Sequence, residues 1–301
     1  MTPPASWPRP LRPGDEVQLV AASSCLQSDA LDRLQAGIAI VEQWGLRVTP
    51  HPEPLRQWGY YAGSDAQRLD DLQPTAPLLA CLRGGWGSAR LLERPWHEPA
   101  RVMPHWLLGF SDVTSLLWAR QAAGLPGGIH GPMLTTLAAE PAWSQARLKA
   151  LLFGDALPPL QGDGWQGGCA EGPLLVGNLT VATHLLGTPH LPELQGAVLL
   201  LEDVGEAPYR IDRMLTQWRL SGALQQLAGI GFGSFNDCED DEPPAPGFSL
   251  EDVLRERTAD LGIPIVGKLP FGHGSGNAAF ALGQRARLDG QSGRLELLSA
   301  D

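Results

Sequence analysis

The sequence predicts an α/β protein in two parts, the first built on a parallel sheet with helices on both faces. Three observations lead there. The chain has 301 residues, a length that suits two domains. Its first half alternates short apolar runs with helical patterns, as repeated β–α units do. A stretch rich in Gly and Pro and without periodicity, 154–172, then interrupts the chain. These give a first domain over 1–155, a linker over 156–171 and a second domain over 172–301.

Each element has its own signal. EVQLVAA (16–22) reads as a buried strand, and the next helix puts Leu31, Leu34, Ile38 and Val41 on one face. Gly45 closes that helix and LRVTP makes a second strand. Ser64 and Gln67 have the spacing of a capping box for a helix ending near Leu72. PLLACLRG (77–84), WLLGF (106–110) and GGIHG (127–131) supply three more strands, with a helix through Leu116, Leu117 and Ala119 and another running to about Leu152. In the second half PLLVG is a strand, NLTVATHLLG a helix and GAVLLLED (196–203) a strong strand. Pro208 sits in the first turn of a helix carrying Ile211, Met214 and Leu215. GIGFGSF (229–235), a helix near 249–261, IPIVG and closing strands around 278–298 complete the chain. The acidic run from Glu239 to Glu242 reads as a solvated loop.

Composition narrows the function classes. A formal net charge of −11 argues against nucleic acid, whose phosphates need Lys and Arg to displace counterions. Lys149 and Lys268 are the only lysines. Cys25, Cys81, Cys169 and Cys238 are widely spaced and form no CxxC pair, so free thiols in a reducing compartment are expected. No secretory h-region and no apolar run of about 20 residues is visible, which predicts a cytoplasmic protein with no membrane partner. HExxH and paired-Cys motifs are absent, and the seven histidines are scattered, so neither metal nor cofactor is expected.

Ligands of such sheets bind at the carboxyl ends of the strands, which directs attention to the residues just after them. In LLGFSDVTSLLWA, Ser111 follows a strand and precedes a helix, so its hydroxyl lies where the helix N-terminus stabilises negative charge. The Asp112 N–H is then a natural oxyanion donor. The motif is not GxSxG, and a helix N-cap at Ser111 or Asp112 is the plain alternative. In CLRGGWGSAR (81–90) the glycines allow close backbone approach, offering the Gly85 N–H as a second donor and Arg83 as a partner for a carboxylate. A surface turn is the alternative, and the spacing fits neither GxGxxG nor a P-loop. His273, between glycines in LPFGHGSGN, has the chemistry of a base but needs a carboxylate to fix its tautomer. Glu202 and Asp203, at the end of a strong strand, both qualify. Asn178 either lines a cleft or caps a helix.

The motifs LRPGDEVQLVAASS, RGGWGS, GFSDVTSLL, IHGPM, GNLT, LLLEDVGEAPYRIDRML and PFGHGSGN, taken in this order, resemble the LD-carboxypeptidase family of serine peptidases. That family includes muramoyltetrapeptide carboxypeptidases and microcin-immunity peptidases. The resemblance implies a Rossmann-like N-terminal domain similar to class I glutamine amidotransferases, a smaller mixed α/β C-terminal domain, and a homodimer. It also implies a triad of Ser111, Glu202 and His273, choosing Glu202 over Asp203, with oxyanion donors at Gly85 and Asp112. Trp86 stands where the family often has tyrosine, and with Arg83 and Asn178 it is a candidate for substrate contact. The implied substrate is a small peptide, a muropeptide tetrapeptide that loses its terminal D-alanine. A peptidyl-nucleotide antibiotic is the alternative substrate. A nucleotide- or sugar-phosphate-binding protein using 83–88 is the alternative class. A cysteine nucleophile ranks last, because no cysteine sits at a strand–helix elbow.

Overall fold

Strands β3 (Leu78–Cys81) and β4 (Trp106–Gly109) are buried at every position, so they read in sequence as unbroken apolar runs rather than alternating ones. They form the centre of a six-stranded sheet. β1 (Glu16–Val20) and β2 (Arg47–Thr49) lie on one side and β5 (Gly128–His130) on the other, all parallel. The structure, a computed structural model, describes residues 6–94, 103–239 and 247–298. It divides into one unit of Met1–Leu157 with Ala278–Leu282, and a second of Pro158–Asn277 with Gly283–Asp301.

In the first unit, helix Leu31–Gln43 buries Leu34, Gly37 and Val41. A Cβ on Gly37 would meet the Leu134 carbonyl oxygen at 1.9 Å, so only glycine allows the approach to helix Leu134–Leu137. The capping box forms: the Ser64 hydroxyl accepts from the Gln67 N–H, and the Gln67 side chain accepts from the Ser64 N–H. The sixth strand of this sheet, β12 (Phe280–Ala281), comes from far down the chain and pairs antiparallel with β5, Phe280 opposite His130.

The second unit holds an eight-stranded sheet. Its core is the parallel set β8 (Cys169–Asn178), β9 (Val198–Val204), β10 (Gly229–Asn236) and β11 (Ile265–Gly267). The first half of β8 pairs antiparallel with β13 (Arg285–Asp289) and its second half parallel with β9. β14 (Arg294–Leu297), β6 (Leu160–Gln161) and β7 (Asp163–Gln166) complete it by antiparallel pairing.

Two expectations need correction. Residues 156–171 are not a structureless linker: β6, β7 and the start of β8 lie there, on strands too short and too rich in Gly to show periodicity. The closing segment is divided, β12 joining the first sheet and β13 and β14 the second. Glu239 is exposed; residues 240–242 of the acidic run lie outside the described residues. Among the described residues no helix is long and apolar enough to cross a membrane.

Candidate active site

β4 ends at Gly109, Phe110 is extended, and Ser111 then takes φ 61°, in the left-handed region that a residue with a Cβ rarely occupies. Such a conformation costs of order 1–3 kcal/mol and persists only where the surroundings impose it. Two glycines leave room for it here. A Cβ on Gly109 would lie 2.6 Å from Val113, and one on Gly84 would lie 3.0 Å from the Ser111 Cβ and 3.2 Å from its Oγ. A 3₁₀ turn over Ser111–Val113 leads into helix Thr114–Ala122.

The cap reading does not hold. The N-cap positions are Phe110 for the turn and Val113 for the helix, and neither side chain caps. The buried Asp112 carboxylate instead accepts the Ser88 N–H at 2.9 Å. The Ser88 hydroxyl donates to the Asp112 carbonyl at 2.6 Å and lies 2.6 Å from the Ser115 hydroxyl. These bonds tie the 83–88 loop to the serine turn. Sequence reading missed Ser88 and Ser115, although both lie inside the quoted motifs, Ser115 one helical turn beyond Ser111.

The loop is held from its other side as well. Gly85 has φ 105°, and a Cβ there would collide with the Ser24 hydroxyl at 2.4 Å. That hydroxyl accepts the Trp86 N–H at 2.9 Å. Among the described residues the Gly85 N–H donates to no backbone acceptor. Arg68, with no exposed surface, donates to the Gly87 and Ala22 carbonyls, each at 2.8 Å, and pairs with Asp65 at 2.6 Å. The half-buried Arg83 donates to the Cys25 carbonyl at 3.2 Å. Trp86 is 69% exposed.

The second unit holds an acid and an imidazole side by side. Glu202 on β9 is completely buried, and its Oε2 lies 2.6 Å from the His273 Nδ1. Because an ionised carboxylate only accepts, this contact assigns the proton to Nδ1 and the basic lone pair to Nε2. Burial works against the histidine cation, but the hydrogen bond and charge of Glu202, with the charge of Asp203 behind it, outweigh burial and raise the His273 pKa. Gly272 has φ 111°, and a Cβ there would meet the Ser234 Oγ at 2.5 Å and the Glu202 Oε2 at 2.9 Å. Its N–H donates to Asn277 and the Gly274 N–H donates to Ser234, which fixes the loop on both sides of the imidazole.

Asp203 has a different task. Its carboxylate accepts from the Thr180 N–H and hydroxyl and from the Val204 N–H, and burial raises its pKa. Asn178 is buried and caps helix Leu179–His184, accepting the Val181 N–H at 3.1 Å. Its amide donates to Asp203 at 2.9 Å and Glu202 at 3.3 Å, so it supports the carboxylate instead of lining a cleft. A groove of about 350 Å³ runs along the His273 loop past Trp165, Phe232, Phe235 and Phe271. No group of three or more His, Cys, Asp or Glu among the described residues could hold a metal ion.

A profile described as the LD-carboxypeptidase N-terminal domain matches residues 17–131, and one described as the LD-carboxypeptidase C-terminal domain matches residues 171–288. The chain belongs to the LD-carboxypeptidase family. It is a serine-type LD-carboxypeptidase on that family's two-domain α/β fold, as the motifs implied. A Synechocystis sp. relative that carries a carboxypeptidase name is 49% identical, with 97% of each chain covered. The murein tetrapeptide carboxypeptidase of Pseudomonas aeruginosa is 36% identical over 91% of this chain and 93% of its own. The solved structure of the microcin C7 self-immunity protein matches the fold with a TM-score of 0.87 over 99% of each chain, at 19% identity. Of the LD-carboxypeptidase motifs, the one at β9 contains both acids, and the hydrogen bonds give Glu202, the acid that the resemblance chose, to His273.

Proposed function

We propose that this LD-carboxypeptidase releases the terminal D-alanine of muropeptide tetrapeptides through an acyl-enzyme on Ser111. The observation that carries the mechanism is the 2.6 Å contact between Glu202 and His273, which leaves the imidazole with a basic Nε2. The 36% identity to a murein tetrapeptide carboxypeptidase supports the substrate class.

In this reading the Ser111 Oγ attacks the carbonyl carbon of the amide joining the L-centre of a diamino acid to D-alanine. Its proton passes to the His273 Nε2, while Glu202 holds Nδ1–H and stabilises the cation. The N–H groups of Gly85 and Asp112 take the oxyanion; each such donor is worth roughly 3–4 kcal/mol of barrier. The C–N bond then breaks, and the proton on Nε2 goes to the leaving amine of D-alanine. Water next adds to the ester carbonyl and gives a proton to Nε2. Collapse returns that proton to the Ser111 oxygen and frees the tripeptide acid. Arg83 meets the D-alanine carboxylate, which accounts for cleavage at the chain end.

The test is free D-alanine measured from a muropeptide tetrapeptide, with a peptidyl-nucleotide as the competing substrate. Release by the native chain and none by Ser111→Ala is expected. Equal release by both removes Ser111 from the mechanism, and turnover of the peptidyl-nucleotide alone replaces the substrate.

A further inference from the structure

Apolar side chains exposed singly are ordinary, but exposed apolar groups that adjoin one another mark interaction surfaces. The first unit shows two on one turn, Trp58 at 52% and Tyr60 at 62% exposed, and a third, Trp86 at 69%, on the 83–88 loop. Trp58 and Tyr60 flank Gly59 on a turn closed by reciprocal main-chain bonds between Trp58 and Tyr61. Tyr61 ties the rings together. It stacks on Trp58 with centroids 5.9 Å apart, lies 4.4 Å from the Tyr60 ring, and donates its hydroxyl to that of Tyr60.

The turn is braced from beneath. Asp71 accepts from Arg56 at 2.7 Å and from the buried His51 at 3.1 Å, and Arg56 also donates to the Ala62 carbonyl. The Arg68 guanidinium lies 4.6 Å from the Tyr61 ring centre and the Arg90 guanidinium 5.9 Å from that of Trp58. The patch is also continuous with the oxyanion loop. Ser24, which accepts the Trp86 N–H and abuts Gly85, forms a main-chain bridge with Tyr61, and a Cβ on Gly87 would meet the Tyr61 ring at 2.3 Å.

We propose that Trp58, Tyr60 and Trp86 form a stacking platform for the sugar ring of the muropeptide, making the saccharide a specificity determinant of the reaction. This rests on the muropeptide reading above. A pyranose offers an apolar C–H face to aromatic rings and hydroxyls to a polar rim, and the rim here holds the Tyr60 hydroxyl, Arg90 and Gln57. Three residues separate the sugar from the scissile bond, about 10–11 Å of extended chain. The platform's turn is joined to the loop of Gly85 through Ser24 and Tyr61.

The experiment compares kcat/KM for a free tetrapeptide with that for the same tetrapeptide on muramic acid, in the native chain, Trp58→Ala, Tyr60→Ala and Trp58→Phe. A native preference of about tenfold or more for the sugar-bearing substrate is expected. It should reside in KM, collapse towards unity in the alanine variants, and recover in Trp58→Phe. Equal kcat/KM for both substrates in the native chain overturns the platform while leaving the muropeptide reading intact. No D-alanine from either substrate overturns the reading itself. A preference that survives both alanine substitutions, or one shown only by a nucleotide-bearing peptide, also overturns the platform.

Discussion

The His273 imidazole meets the completely buried Glu202 carboxylate at 2.6 Å, with Asn178 donating to the other oxygen of that carboxylate. A buried acid so held has one function left to offer, the orientation and charge balance of its ring partner. Glu202→Gln keeps the shape but presents a group that can donate to Nδ1, favouring the wrong tautomer. Its kcat/KM for D-alanine release should fall by about 10³–10⁴-fold, with the fold retained by circular dichroism. A loss under tenfold removes Glu202 from the relay.

The upward displacement of the His273 pKa gives opposite signs for activity and stability. The general base must be neutral, so kcat/KM should fall on acidification with an apparent pKa above 6.5, the ordinary value. A folded-state pKa raised above the unfolded one stabilises fully below the unfolded value and is lost as pH rises through the folded value. In Glu202→Gln the acidic limb of the residual activity should move down, since the partner that raises the pKa is gone. A limb that stays in place assigns the titration to another group.

Ser111 holds a left-handed backbone, φ 61°, at the position proposed for the nucleophile. Ser111→Ala removes the hydroxyl and keeps the Cβ that strains the left-handed backbone, whereas Ser111→Gly removes both hydroxyl and Cβ. Both variants should be inactive, and Ser111→Gly should be the more stable by about 1–2 kcal/mol in urea unfolding. Equal stability shows that the turn stores no strain at this residue.

A site away from the chemistry should add to the acid sensitivity of the fold. His105 is buried, its Nε2 lies 2.8 Å from the Arg120 guanidinium, and its pKa is pushed down to about 4, by burial first and by the Arg120 charge second. Below pH 6.5 the unfolded chain gains a proton that the folded one refuses, so stability falls on acidification by on the order of 3 kcal/mol in total. His105→Gln should flatten the fall of Tm between pH 7 and 4.5. An unchanged slope places the acid sensitivity elsewhere.

Much of the fold was legible because central parallel strands are apolar on both faces. β3, β4 and β9 announce themselves in this way. The closing strands stand where expected, but β6, at two residues, leaves no periodic trace, and the pairing of β12 with a partner about 150 positions away leaves none of the sheet it joins. At the site, Ser111 and the 83–88 loop stood out through their place after strands. Glu202 and Asp203 are adjacent and both buried, and no pattern separates them; the partners do, His273 for one and Thr180 for the other. Ser24 was invisible as a functional residue because its role is to support Gly85 and Trp86 across 60 positions of chain.

The most direct measurement of the central claim is covalent capture. A phosphonate analogue of the D-alanine-terminated tetrapeptide is incubated with the protein, which is then digested and its peptides weighed. One added group is expected, on the peptide containing Ser111, with D-alanine release lost in the same proportion. Labelling of any other residue, or full turnover by protein labelled at Ser111, contradicts it.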